Sequence, residues 1–344
     1  MKRGQVIIAI VLLAMIFAYW WLWPRSGAVA EAYVSERIAT LWSSLAQVKE
    51  PLATLHYGER VTLLERKGEQ ARVRTSRGVS GWVEARILMD PALWQRSAQL
   101  LAKARGMPVQ ARGRTKSVSN ARVEPGRAAA RVYQFGRGMP VQVVSRATVE
   151  LSDASGAARE SSPKLSGEEE KPRREDWFLV LGPVTGSNGG DSAAPKGDEP
   201  AAVAGWVLAR FVELSVPGAV RDYTSSAGLR VVAWFELNRV ADPSGQKPQY
   251  LVAGVRGGEG QPCDFTMIRV YTWGARRQHY ETAYAESRFC GHLPIRVGKS
   301  AAGDPEFRFL AVGKAGSEER RYFMRQTVVR RIREGQRAGS RPRR

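Results

Sequence analysis

A chain of 344 residues in which 43% are hydrophobic is too long for one compact core and has apolar residues enough to bury two or three. Lys and Arg number 53 against 33 Asp and Glu, a formal charge of +20, which favours polyanionic surroundings such as nucleic acid, anionic lipid headgroups or acidic wall polymers. Basicity alone does not choose among them.

The N-terminus narrows the choice. Met1-Lys2-Arg3 precedes an uncharged apolar run from Val6 to Trp23, about 18 residues and roughly 27 Å as a helix. The run ends in Tyr19-Trp20-Trp21-Leu22-Trp23, aromatic residues suited to the headgroup level, and the leading cations favour a cytoplasmic start. Residues 1–27 are therefore expected to be a single-pass anchor in the inner membrane, with the bulk of the chain outside the cytoplasm. The rival reading is a cleaved signal peptide, because Ala28-Val29-Ala30 supplies a small-x-small pattern that would leave a secreted chain beginning near Glu31. The first 260 residues hold no cysteine, which excludes lipoprotein attachment.

Further on, one phrase is written twice. Gly81 to Leu88 reads GWVEARIL and Gly205 to Val212 reads GWVLARFV, so an internal duplication is expected. Upstream of the first lie two short strands, Arg60 to Arg66 and Gln70 to Thr75, joined at Lys67-Gly68-Glu69 as a tight hairpin would be. Upstream of the second lies Tyr133 to Val144, which again places a glycine after an aromatic and then a β-like run.

This pattern resembles the bacterial SH3-like domain, a small five-stranded β-barrel common in exported proteins. The glycine that opens the family's central hairpin is matched at Gly58 and Gly136, and the Gly-Trp pair of its closing strand at Gly81-Trp82 and Gly205-Trp206. The family's Asn-x-Arg-x-x-Pro signature is matched in the second copy by Asn120, Arg122 and Pro125, whereas the first copy has Ile38 to Trp42 there. The resemblance implies two barrels, residues 33–90 and 113–215, with both indoles filling the interior, and it implies recognition of cell-wall peptides, glycans or a protein partner. Trp42, Tyr57, Tyr133 and Trp177 are the aromatic candidates for contact.

Between the copies, Leu93, Trp94, Ala98, Leu100 and Leu101 follow helical spacing after Asp90-Pro91, and Gly106 stops the run. Residues 91–112 are thus a helical linker. The second copy is interrupted twice, at about 147–174 and 186–202, by polar stretches without hydrophobic periodicity that read as disordered inserts.

From residue 216 to 335 apolar runs separated by turn signals predict an all-β, antiparallel domain: Leu229 to Leu237, Tyr250 to Val255, Phe265 to Trp273, His279 to Ala283, Pro294 to Val297 and Phe307 to Val312. Arg320 to Arg333 reads as a strand running into a helix, and 336–344 as a basic disordered tail. The fold class is therefore mainly β. The only cysteines, Cys263 and Cys290, are expected to form a disulfide outside the cytoplasm. Cys263, His279, Cys290 and His292 have no zinc-module spacing, so no metal is expected. There is no P-loop string, and no cofactor or specific nucleic acid is expected.

These features point to a non-catalytic envelope protein that binds a cell-wall polymer or an envelope protein. The alternative is a cell-wall hydrolase with its chemistry in the C-terminal domain. A cysteine nucleophile there needs a nearby base and freedom from a disulfide, and Cys263 is followed by Asp264-Phe265 rather than the serine and glycine usual in papain-like wall peptidases.

Overall fold

The computed structural model describes residues 30–151, 173–184, 202–313 and 316–332. They form three seven-stranded sheets, all of whose pairings are antiparallel, and two helices. The described residues divide into two compact units, one of residues 30–34 with 38–91 and one of residues 35–37 with those described from 92 onward.

The first unit contains β1 (Ala30–Val34), β2 (Ile38–Trp42), β3 (Pro51–His56), β4 (Arg60–Lys67), β5 (Gln70–Thr75), β6 (Ser80–Glu84) and β7 (Leu88–Met89), in the order β3-β2-β6-β5-β4-β1-β7. Period-2 alternation sets the faces. Ala71 and Val73 on β5 turn inward with Val83 on β6 and join Val34, Leu41, Leu55 and Val61 in the core, while Arg72, Arg74 and Glu84 are exposed.

In the second unit, α1 (Pro91–Arg105) precedes β8 (Ala111–Thr115), β9 (Ser119–Arg122), β10 (Arg131–Phe135), β11 (Pro140–Glu150), β12 (Arg174–Pro183), β13 (Ala202–Leu208) and β14 (Val212–Leu214). Their order, β10-β9-β13-β12-β11-β8-β14, repeats that of the first sheet strand for strand. Helix α1 packs Leu100, Leu101 and Ala104 against Val144, Leu179, Ala204 and Trp206 on the sheet's outer face. The expected barrels are not seen as closed: each sheet is an open series whose end strands, β3 and β7 or β10 and β14, do not pair.

The remaining strands are a meander that follows α2 (Gly218–Ser226): β15 (Leu229–Val240), β16 (Lys247–Arg256), β17 (Phe265–Gly274), β18 (His279–Lys299), β19 (Pro305–Gly313), β20 (Gly316–Arg325) and β21 (Val328–Ile332), each paired with the next. One face buries Leu251, Phe265, Ile268, Phe307, Phe309 and Tyr322. The other buries Tyr250, Val252 and Tyr271 with Val220 of α2.

Several expectations are corrected here. The first insert is shorter, because Ala147 to Glu150 continue β11 and pair with Trp177 to Arg174; the apolar and β-branched residues of Ala-Thr-Val carry the strand outward. Residues 279–299 make one strand, not two, with a register shift between His292 and Arg296 where Pro294 cannot donate to the ladder. The segment after Arg320 turns at Gln326 into β21 rather than into a helix. The anchor at 1–27, most of both inserts and the tail at 336–344 lie outside the described residues. No helix among the described residues is long and apolar enough to cross a membrane.

Candidate binding site

The two copies agree down to single hydrogen bonds. Gly58 N–H donates to Val34 O at 2.8 Å and Gly138 N–H donates to Thr115 O at 2.8 Å, and the following residues close the same ring through Val34 N–H to Glu59 O and Thr115 N–H to Met139 O. Both glycines are left-handed, with φ of 77° and 76°, a region a Cβ disfavours. Gly138, not Gly136, is therefore the counterpart of Gly58. Both sheets also carry a bulge at the same place, after Leu63 and after Val143.

The Gly-Trp pairs sit on equivalent strands with a role opposite to that expected for the indoles. Gly81 and Gly205 face inward: a Cβ on Gly81 would lie 2.6 Å from Trp42 O, and one on Gly205 would lie 2.6 Å from the Cβ of Ala121. Their neighbours therefore point outward, and Trp82 and Trp206 are half-buried on the outer faces. Trp206 is covered by α1. Trp82 lies opposite Trp42 in register, where the second copy sets Arg122 opposite Trp206.

The other sequence candidates separate by burial. Tyr133 and Trp177 are 1% and 2% exposed, and Tyr133 Oη donates to Val184 O at 2.9 Å, so both belong to packing. Tyr57 is half-buried, and Trp42 is half-buried with Lys49 Nζ 4.6 Å from its ring centroid. Of the signature segment, Asn120 is exposed and accepts from Gln134 Nε2 at 3.0 Å. Pro125 lies in the turn toward β10. Arg122 donates to Ala129 O, and burial, then Arg131 and Arg127, lower its pKa. Across the same sheet Arg127 holds Glu175 in a two-pronged contact at 2.6 and 2.9 Å, which with Arg210 at 2.9 Å keeps that carboxyl below its usual range despite burial.

A groove of about 720 Å³ crosses the outer face of the second sheet. Val141, Leu181, Pro183 and Ala202 give it an apolar lining, and Trp234 of β15 lines it from the meander. Arg105, at the end of α1, and Arg112 and Arg114 on β8 also line it. Arg112 and Arg114 are exposed, and among the described residues no carboxylate is within ion-pairing distance of either; Arg114 donates only to Gly138 O at 3.1 Å. Gln110, fully enclosed, fixes the groove's two walls together. Its side chain donates to Ile295 O at 3.2 Å and accepts from Ile295 N–H at 2.8 Å, while its backbone O accepts from Trp234 N–H at 2.9 Å. No sequence motif marked Arg112 or Arg114; an Arg-Gly-Arg string on a strand was the available signal.

Beside this junction, Cys263 and Cys290 form a disulfide. Cys290 Sγ lies 3.6 Å from His292 Nε2, and His292 Nδ1 lies 3.6 Å from Asp264 Oδ2. The sulfur is committed to the bridge, and Asp264 is committed as well: Oδ1 accepts from Arg146 at 3.0 Å and Oδ2 from Leu293 N–H at 2.9 Å. His279 is exposed, on the far end of β18. Among the described residues no cluster of His, Cys, Asp and Glu is arranged to hold a metal.

No family model matches the chain, and no curated protein matches it. Among solved structures it is similar to NlpC2 from Trichomonas vaginalis, at 8% identity and a TM-score of 0.17 over 74% of this chain and 92% of that one. It is also similar to an NlpC/P60 family protein from Bacillus cereus ATCC 10987, at 11% identity and a TM-score of 0.19 over 74% and 93%. Scores this low assign neither a common fold nor an activity.

Proposed function

We propose that the protein is a non-catalytic binding protein of the cell envelope, held at the inner membrane by residues 1–27, and that its groove takes an acidic peptide of the kind found in cell walls. The observation that carries the reading is the pair Arg112 and Arg114, two guanidiniums with no carboxylate partner among the described residues, beside an apolar lining. Planar guanidinium forks bind carboxylates through two parallel hydrogen bonds, and the apolar lining gives the ligand's body a surface to bury. The repeated strand order, bulge and glycine turn support a bacterial SH3-like ancestry for both sheets. Binding of the full chain in detergent to purified peptidoglycan bearing its peptides tests the reading. The double variant Arg112→Glu, Arg114→Glu should bind at least about tenfold more weakly with an unchanged melting temperature; equal binding by variant and parent overturns the groove.

A second reading, a wall-active thiol hydrolase, is favoured by the Cys290, His292 and Asp264 arrangement. A thiolate is the nucleophile in such chemistry, and a bridged sulfur has none to offer. Cys263→Ser frees the Cys290 thiol beside His292. Peptide-bond cleavage in peptidoglycan by that variant would establish the hydrolase, and a variant that is only less stable would exclude it.

A further inference from the structure

The outer faces of the two sheets are equivalent in register but opposite in chemistry. In the second copy the face carries Val144, Leu179, Leu181, Ala204 and Trp206, and α1 lies on it. The pairings Leu179 with Trp206 and Leu181 with Ala204 correspond to Arg72 with Trp82 and Arg74 with Ser80 in the first copy, and the bulge residue Val144 corresponds to Leu64. The first copy thus replaces two leucines by arginines and an alanine by serine. An apolar helix face laid there would bury two guanidiniums without partners, which is costly, so this face is not a second helix seat.

What the face presents instead is an indole pair with cations on both sides. Trp42 and Trp82 stand opposite each other on β2 and β6, both half-buried. Lys49 lies over Trp42, and Arg72 and Arg74 are exposed on the next strand. Arg74 Nε donates to Ser80 Oγ at 3.2 Å. The nearby acids do not neutralise the pair: Glu65 is opposite Arg72 in register but forms no ion pair with it, and Glu84 is bound to Arg86.

We infer that this face of the first sheet is a binding site for an acidic glycan strand, with pyranose C–H faces on the two indoles and sugar carboxylates on Arg72 and Arg74. The site deepens the envelope-binding reading and rests on it, but it uses residues distinct from those of the groove. Indoles stack on flat, partly apolar ring faces, and arginine forks match carboxylates at intervals along a polymer. Aromatic and basic residues interleaved on a sheet also suit single-stranded nucleic acid, and an extracytoplasmic chain meets glycan first.

The test uses the full chain in detergent and three probes: peptidoglycan strands from which an amidase has removed the peptides, leaving the lactyl carboxylates; an uncharged chitooligosaccharide of similar length; and a single-stranded DNA oligonucleotide. The acidic strand should quench tryptophan fluorescence and bind at least about tenfold more tightly than the uncharged one. Arg72→Glu with Arg74→Glu should abolish that preference, whereas Arg256→Glu with Arg276→Glu, exposed arginines of the meander, should leave it intact. Exposed arginines change without disturbing the core, so an unchanged melting temperature separates lost binding from lost fold. No binding of the acidic strand, equal binding of the uncharged one, tighter binding of the oligonucleotide, or an Arg72 and Arg74 variant that binds like the parent would each overturn the inference.

Discussion

Arg146 and Asp176 meet at 2.5 Å on adjacent strands of the second sheet, with side chains 1% and 0% exposed. The aspartate also accepts from Arg230 at 2.7 Å, Gly260 N–H at 3.1 Å and Thr148 at 3.2 Å, and the arginine also reaches Asp264 and the carbonyls of Gln261 and Cys263. This network ties the second sheet to the meander. A buried pair offsets its own desolvation only while complete, and removing one partner strands the other charge. Asp176→Ala should therefore cost about 3–5 kcal/mol of stability, measured by urea denaturation of the full chain. A cost near that of a surface substitution would mean that the network does not bind the second unit together.

The disulfide is one residue from Asp264 and closes a loop with a sequence separation of 27. Loop closure of that length in the unfolded chain predicts a loss of about 3 kcal/mol in Cys263→Ser or Cys290→Ser. Thiol titration of the denatured, unreduced parent should find no free sulfhydryl. Because Arg146 also donates to the carbonyl of Cys263 at 3.0 Å and to the adjoining Asp264, the Cys263→Ser and Asp176→Ala losses should fall short of additivity when combined.

Glycine chemistry separates Gly136 from Gly138. With φ of 76° at Gly138, alanine there should cost about 1–2 kcal/mol through backbone strain. At Gly136 an added Cβ meets only the side chain of Met139, at an ordinary 3.7 Å, so Gly136→Ala should be nearly neutral. Paired denaturation midpoints for the two variants decide the assignment, and equal losses would undo the match of Gly58 with Gly138.

What was legible in the sequence was local. The repeated phrase, the Lys67 to Glu69 turn, the helix beginning at Pro91 and the cysteine pair are each written within short spans or by a count, and each appears in the fold. The phase of the closing strand was not legible: alternation puts Trp82 opposite in sense to Gly81 and Val83, and it takes the burial of Val83 and the close approach of Trp42 O to Gly81 to show which set is inside. Helix α2 was missed because Pro217-Gly218 and Gly228 bracket a helix of only nine residues, in which the polar Arg221, Asp222, Thr224, Ser225 and Ser226 outnumber the apolar ones. Arg112, Arg146 and Asp176 carry no motif. Their roles arise from the packing of the second sheet on the meander, where groups distant in sequence meet.

Asp242 gives the meander an acid-sensitive turn. Its carboxylate accepts from Ser244 N–H at 3.0 Å, Ser244 Oγ at 2.6 Å and Trp273 Nε1 at 2.7 Å. The Ser244 hydroxyl and amide, and then the indole, lower its pKa from 3.8 to about 2. A carboxyl lowered in the folded state stabilises the fold above its unfolded value, and that contribution fades as pH falls from near 3.8 through about 2. Asp242→Asn should therefore be less stable than the parent at pH 5, and the gap should narrow as pH approaches 2. Urea midpoints across that range check the sign; a gap that widened on acidification would show that these donors do not favour the ionised carboxyl.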